Sequence, residues 1–181
     1  MTHDLTPPSV LGVDGSMYAA GRLDDLLSCH AAIAALTRVA DRSALVPVVA
    51  LFDHEEVGST TASGAGGEFL ATVLDRMATA AGVDSDHRRG ALARSACISA
   101  DGAHATHPNW PERHEPDHPV RLDGGPVVKT NTSARYATDA GSAALVLDLA
   151  RSLDIPTQQF VSRNDMPCGS TIGPVTAARL G

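Results

Sequence analysis

An apolar run, Val46-Pro47-Val48-Val49-Ala50-Leu51-Phe52, empties directly into Asp53-His54-Glu55-Glu56-Val57-Gly58-Ser59. No other stretch constrains the fold as strongly. A buried strand ending in such a turn belongs to an open α/β sheet, where functional groups collect at the carboxyl ends of strands. The neighbouring carboxylates of Glu55 and Glu56 repel each other and resist desolvation unless a cation or a proton neutralises them. One carboxylate for a metal and one to handle a proton meets both demands. A solvated acidic turn is the bland alternative, and for a lone Glu-Glu pair it is the better one.

The rest of the chain alternates between helical and strand patterns. Leu23 to about Ala40 reads as a helix, with Leu26, Leu27, Ile33, Leu36 and Val39 at apolar positions. Ala44 to Phe52 reads as a buried strand despite Pro47, which cannot donate to a ladder. A Ser/Thr/Gly loop, 58–67, leads to a helix over Glu68 to Ala81 whose apolar positions recur at helical spacing. Further strands are expected at Arg94 to Ala100, Pro126 to Asn131 and Gln158 to Ser162, with a third helix from Thr138 to Ser152. His104 to Gly125 carries four prolines and reads as irregular. The expectation is an α/β fold with a largely parallel or mixed sheet flanked by helices. Residues 1–20 form a lead-in segment and 21–181 one domain.

Composition narrows the function. Of 181 residues 43% are apolar and 3% aromatic, so a sizeable core must come from Ala, Val, Leu and Ile. A net charge of −7 without a basic cluster argues against nucleic acid or an anionic membrane as partner. No apolar stretch approaches the roughly 18 residues of a membrane span, and the amino terminus lacks the plan of a signal peptide. The expected location is cytoplasmic. Cys29, Cys97 and Cys168 are odd in number and widely spaced, which disfavours a disulfide framework or a zinc finger.

Acidic residues recur where strands end or helices begin: Asp24 and Asp25, Glu55 and Glu56, Asp101, and Asp165. Carboxylates are zinc donors, two zincs can share an Asp, and a separate Glu can take a proton from water. The competing readings are a helix cap for Asp24 and Asp25 and a plain turn with Gly102 for Asp101. Four histidines, His104, His107, His114 and His118, fall within 15 residues. The first two could serve one site. His114 and His118 flank Glu115 and Asp117 and read as exposed and solvated, as do His30 and His87 on helix or loop surfaces. Cys168 reads as a small packed residue, because nothing near it would activate a thiolate.

Three segments carry a resemblance: Phe52-Asp53-His54-Glu55-Glu56-Val57-Gly58-Ser59, Ser99-Ala100-Asp101-Gly102-Ala103-His104-Ala105-Thr106-His107-Pro108-Asn109, and Arg163 to Pro174. Together with Gly21-Arg22-Leu23-Asp24-Asp25 and Gly125 to Asn131 they resemble, in order, the signatures of the aspartyl aminopeptidase family, two-zinc exopeptidases. The resemblance implies that Asp24 bridges two metals, that Glu55 is the general base, and that Glu56 and Asp101 each bind one metal. It implies a substrate pocket lined by His104, His107, Lys129 and the loop Asp165 to Thr171, including Met166 and Gly169. The implied cofactor is Zn2+, two ions per complete site, with other divalent ions as substitutes. The implied substrate is a peptide with a free amino terminus, Asp or Glu preferred, and the implied partner a second copy or a complementary chain. In the family each metal also takes a His, one upstream of the Arg-Leu-Asp segment and one downstream of the Gly-Pro motif. Neither segment occurs in this sequence. The chain is therefore expected to be a partial catalytic domain, a zinc aminopeptidase-like sandwich truncated at both ends and without the family's inserted domain. The alternative function is a non-catalytic fragment or pseudoenzyme that binds peptide, metal or a full-length relative.

Overall fold

The computed structural model describes residues 3–39, 44–170 and 172–180. It is a mixed α/β structure that divides into two compact units, Met1–Leu51 with Ala100–Gly102, and Phe52–Ser99 with Ala103–Gly181.

The first unit begins with an antiparallel hairpin, β1 (Ser9–Leu11) and β2 (Met17–Ala19), in which Ser9 faces Ala19 and Leu11 faces Met17. Gly12 and Gly15 supply the positive φ angles of its turn, 93° and 67°. The lead-in thus folds into a hairpin that its Pro- and Gly-rich sequence did not announce. Helix α1 (Leu23–Val39) follows, but Asp24 and Asp25 have non-helical backbone, so regular winding starts only after them. The expected end of this helix at Ala40 lies outside the described residues. The strand expected over 44–52 does not form; this stretch is irregular chain, with Leu45 and Val46 each 80% exposed. A strand exists only within a ladder. An apolar run encodes a demand for burial without naming the segment that meets it.

The second unit holds helices α2 (Phe69–Ala80), α3 (Ser85–Ala93), α4 (Ala140–Ser152) and α5 (Ile172–Leu180) and strands β3 (Val127–Thr130) and β4 (Gln158–Val161). The two strands pair in parallel, Val127 opposite Gln158 and Thr130 opposite Val161, with α4 as the crossover between them. Parallel neighbours require such a crossover. Gln158 locks the entry to the pair: its side chain accepts from Arg121 N–H and donates to the carbonyls of Arg121 and Gly125. Gly125, at φ 92°, lets its turn lie against the Pro156 carbonyl, where an added Cβ would sit at 2.0 Å. Val128, Tyr136 and Ala150 are buried in and beside this βαβ unit, and Ala65 and Val120 are buried elsewhere in the chain. The ring of Tyr136 meets that of Phe160 edge-on at 6.2 Å.

The sequence pattern anticipated α2, α4, β3 and β4 to within a residue or two. The strand expected at Arg94 to Ala100 is absent: the segment leaves α3 as irregular chain with Ile98 69% exposed. Helices α3 and α5 were not anticipated. The apolar periodicity of α3 is weak, and its signal is the cap: the Asp84 carboxylate accepts the N–H groups of Asp86 and His87.

Helix α4 opens with a reciprocal capping box between Asp139 and Ser142. The Ser142 N–H donated to it holds the Asp139 carboxyl below its usual 3.8. A depressed carboxyl stabilises the fold above its unfolded pKa and loses that contribution as pH falls through the folded one. Asp139→Ala should therefore lower the melting temperature at neutral pH, and its deficit against the parent should shrink as the pH drops below about 4. Thermal melts across that range check both.

Candidate functional site

In the first unit Asp24 and the Asp101-Gly102 turn meet. The Gly102 N–H donates to Asp24 Oδ1 at 3.1 Å across 78 residues of sequence. A Cβ at Gly102 would lie 2.7 Å from Asp24 Cγ, so only glycine beside Asp101 admits the carboxylate. Asp24 Oδ1 thus turns to another loop, while its ψ of 111° leaves its backbone outside the regular helix. The Asp24–Asp25 peptide is cis and Arg22 is left-handed at φ 64°. Asp24 remains exposed and Asp101 half-buried.

In the second unit Glu55 and Glu56 begin a single 3-10 turn, Glu55–Val57. Left-handed residues bound it, His54 at φ 63° and Gly58 at φ 98°. The turn closes on itself through Gly58 N–H to the Glu55 carbonyl at 2.9 Å and Ser59 N–H to the His54 carbonyl at 2.8 Å. Beneath it Ser59 is fully buried. Glycines crowd its carbonyl: a Cβ at Gly64 would approach Ser59 O to 2.4 Å, and one at Gly66 to 2.9 Å. The His54 ring is held by the hydroxyls of Thr61, at 2.8 Å, and Ser63, at 3.3 Å. From α5, Arg179 Nε donates to the Gly66 carbonyl at 2.9 Å while the same guanidinium pairs with Glu68. The loop 58–67, polar and small in sequence, is thus the bed of the acidic turn. Ser59, Gly64, Gly66 and Arg179 were missed as site residues; the dense glycine spacing was the available signal.

At the carboxyl ends of β3 and β4 an open cavity of about 520 Å³ lies between the loops that leave the two strands. Asn131 Oδ1 accepts the Arg135 N–H at 2.7 Å, and Thr132 donates its hydroxyl to Asn164 Oδ1 at 2.8 Å. Arg163 grips Asp165 with two parallel bonds, Nε to Oδ1 at 2.9 Å and Nη2 to Oδ2 at 2.6 Å, and donates its remaining Nη1 to the Glu112 carbonyl. The guanidinium beside Asp165 holds that carboxyl below its usual range. Met166 is half-buried nearby in sequence, and Gly169 is exposed but packed so that a Cβ would lie 2.9 Å from Arg135 Cβ. Thr171 lies outside the described residues. Half-buried Lys129 places Nζ 5.7 Å from the centroid of the Tyr136 ring, and the Tyr136 hydroxyl shares a hydrogen bond with Cys168 Sγ at 2.9 Å.

Of the histidines, His104 and His107 are exposed, and His107 folds onto its own loop: its Nδ1 accepts the Asn109 N–H and its ring tilts against Trp110 at 4.6 Å. His114 and His118 are half-buried rather than solvated. His114 Nε2 accepts the His107 N–H at 3.1 Å and His118 Nδ1 meets Glu115 Oε2 at 2.5 Å. A backbone N–H draws in His114 and the Glu115 carboxylate draws in His118, and polarity alone could not show it.

The carboxylates of Asp24, Glu56 and Asp101 are donors of the type a divalent cation takes. Within either unit, no three His, Cys, Asp or Glu side chains among the described residues gather closely enough to hold one. The donors fit in kind, and neither unit completes a site.

The mixed α/β fold is shared with aminopeptidases of known structure. The crystal structure of prApe1 superposes with a TM-score of 0.84 at 33% identity, over 98% of this chain and 38% of that one. The dodecameric mApe1 of S. cerevisiae does so at 0.79 and 31%, over 98% and 40%. Residues 1–181 match the family described as aminopeptidase I zinc metalloprotease (M18), and the chain belongs to it. A probable M18 family aminopeptidase 2 of Streptomyces coelicolor is 49% identical over 184 residues, covering 100% of this chain. The chain spans 43% of the length of that relative.

The glycine bed makes a direct prediction. Gly64→Ala forces its methyl into the Ser59 carbonyl and should cost about 1–3 kcal/mol, the range of overpacked sites. Urea unfolding of the two proteins measures it, and an unchanged midpoint would remove the close approach from the account.

Proposed function

We propose that the chain contributes the acidic half of a zinc-dependent aminopeptidase site, which removes amino-terminal residues from peptides. The observation that carries this reading is the rigid placement of Glu55 and Glu56 on one glycine-bedded turn. Adjacent carboxylates presented on one fixed turn suit a cation, and M18 membership supplies the metal class. Asp24, Glu56 and Asp101 would hold zinc, Asp24 between two ions. Zinc, when bound, polarises the scissile carbonyl and acidifies water. Glu55 takes a proton from the attacking water and returns it to the departing amine nitrogen as the C–N bond breaks.

The preferred amino-terminal residue is Asp or Glu, for which half-buried Lys129 on β3 supplies the opposite charge. Three cysteines without disulfides suit a reducing, cytoplasmic setting. Among the described residues no helix is long and apolar enough to cross a membrane. The dodecameric state of a yeast relative supports assembly of copies here, or association with a chain that completes the donor set.

The test is hydrolysis of an amino-terminal aspartyl peptide by the purified chain with added zinc. Glu55→Gln should lower turnover by at least about a hundredfold, the smaller end of general-base contributions, while metal content stays the same. Asp24→Asn should lose metal in an equilibrium dialysis measurement. Turnover that survives Glu55→Gln removes that residue as base, and two ions retained by Asp24→Asn remove the bridge. A folded chain that binds peptide and never hydrolyses it would be the non-catalytic relative.

A further inference from the structure

We propose that the cavity at the carboxyl ends of β3 and β4 binds the main chain of a peptide, with Asn131 and Asn164 donating their side-chain amides to its carbonyl oxygens. The proposal deepens the peptide-handling reading above and rests on it for the class of ligand.

The charged groups of the cavity already have partners. Its cation, Arg163, directs Nε and Nη2 to Asp165 and Nη1 to the Glu112 carbonyl. Its two carboxylates are likewise engaged: Asp165 by Arg163, and Glu115 by His118 Nδ1 and the Asp117 N–H. Every charge in the lining is therefore paired within the fold, which leaves no unmatched charge to select a charged ligand. What remains is neutral and directional. Asn131 uses its oxygen on the Arg135 N–H, which turns its NH2 group away from that partner. Asn164 uses its oxygen on the Thr132 hydroxyl. Neither NH2 group has a protein partner among the described residues, and both side chains line the same cavity. Two carboxamide donors call for a ligand carrying neutral acceptors in series, which is what the carbonyls of an extended peptide present. A cavity of about 520 Å³ also falls within the roughly 300–1,000 Å³ typical of ligand sites. The parallel pair fixes the distance between the donors, because Asn131 follows β3 directly and Asn164 lies three residues beyond the end of β4.

The two bonds to the fold make a clean substitution available. Asn131→Asp keeps the oxygen for the Arg135 N–H and Asn164→Asp keeps the oxygen for the Thr132 hydroxyl. Each replaces the NH2 donor by a second, charged carboxylate oxygen. The probe is acetyl-tetraalanine amide, which has no free amine and is not a substrate of an aminopeptidase, titrated into the 15N-labelled chain. The NH2 resonances of Asn131 and Asn164 should shift on binding, and each Asn→Asp variant should weaken binding by about threefold to tenfold with an unchanged melting temperature. Binding that leaves both resonances still, or that both variants preserve, overturns the proposal. So does absence of binding at millimolar peptide, and so does competition by inorganic phosphate, which would make the cavity an anion site. Hydrolysis of aspartyl peptides without these effects sinks the subsite alone. Binding with these effects and no hydrolysis keeps the subsite and sinks the catalytic reading.

Discussion

The parallel pairing of Val127–Thr130 with Gln158–Val161 is the constraint on which the second unit depends. It is secured where the strands begin, by the Gln158 side chain bonded to Arg121 and Gly125 and by a glycine turn against Pro156. Once that end is locked, the register is set and the loops at the opposite end emerge side by side. Ser162 N–H then extends the ladder to the Thr130 carbonyl at 3.1 Å, so the polar loops start from a continuous backbone network. A βαβ crossover leaves little freedom in where those loops go. The cavity of Asn131 and Asn164 follows from this pairing.

Carboxylates are handled by two different means in the molecule. Where they serve structure they are matched locally: Asp139 by Ser142, Asp165 by Arg163, Asp84 by backbone N–H groups of its own helix. Asp24, 78 residues from its partner, is instead approached by the backbone of Gly102. Glu55 and Glu56 stand on a turn whose rigidity comes from below, from buried Ser59 and the glycines around it. The Gly102 N–H orients the Asp24 carboxylate without cancelling its charge. An ion pair with arginine does neutralise a carboxylate.

Elements with strong local signals were legible. The apolar spacing of α2, the capping box of α4 and the β-branched run of β3 each act within a few residues, so pattern and structure agree. Asp24 and Asp101 were read as acidic residues that could converge, and Gly102 does join their two segments in the first unit. The misses have a common origin. Val46 to Phe52 and Arg94 to Ala100 have the composition of strands, yet a strand needs an adjacent segment and no local property names one. His114 and His118 were read as solvated because polarity was the only cue, whereas the partners that bury them lie on their own loop.

The sequence by itself determined the family, the order of the motifs, the chemical type of the donors and most helices, because all of these reside in residue identity and short-range spacing. Tertiary structure decided which groups remain available. Only the fold shows that Arg163 closes on Asp165, and that Ser59 lies fully buried at the start of the loop 58–67. Hydrogen bonds and van der Waals contacts act over a few ångströms of space rather than along the chain. Only the folded chain shows which partners they join.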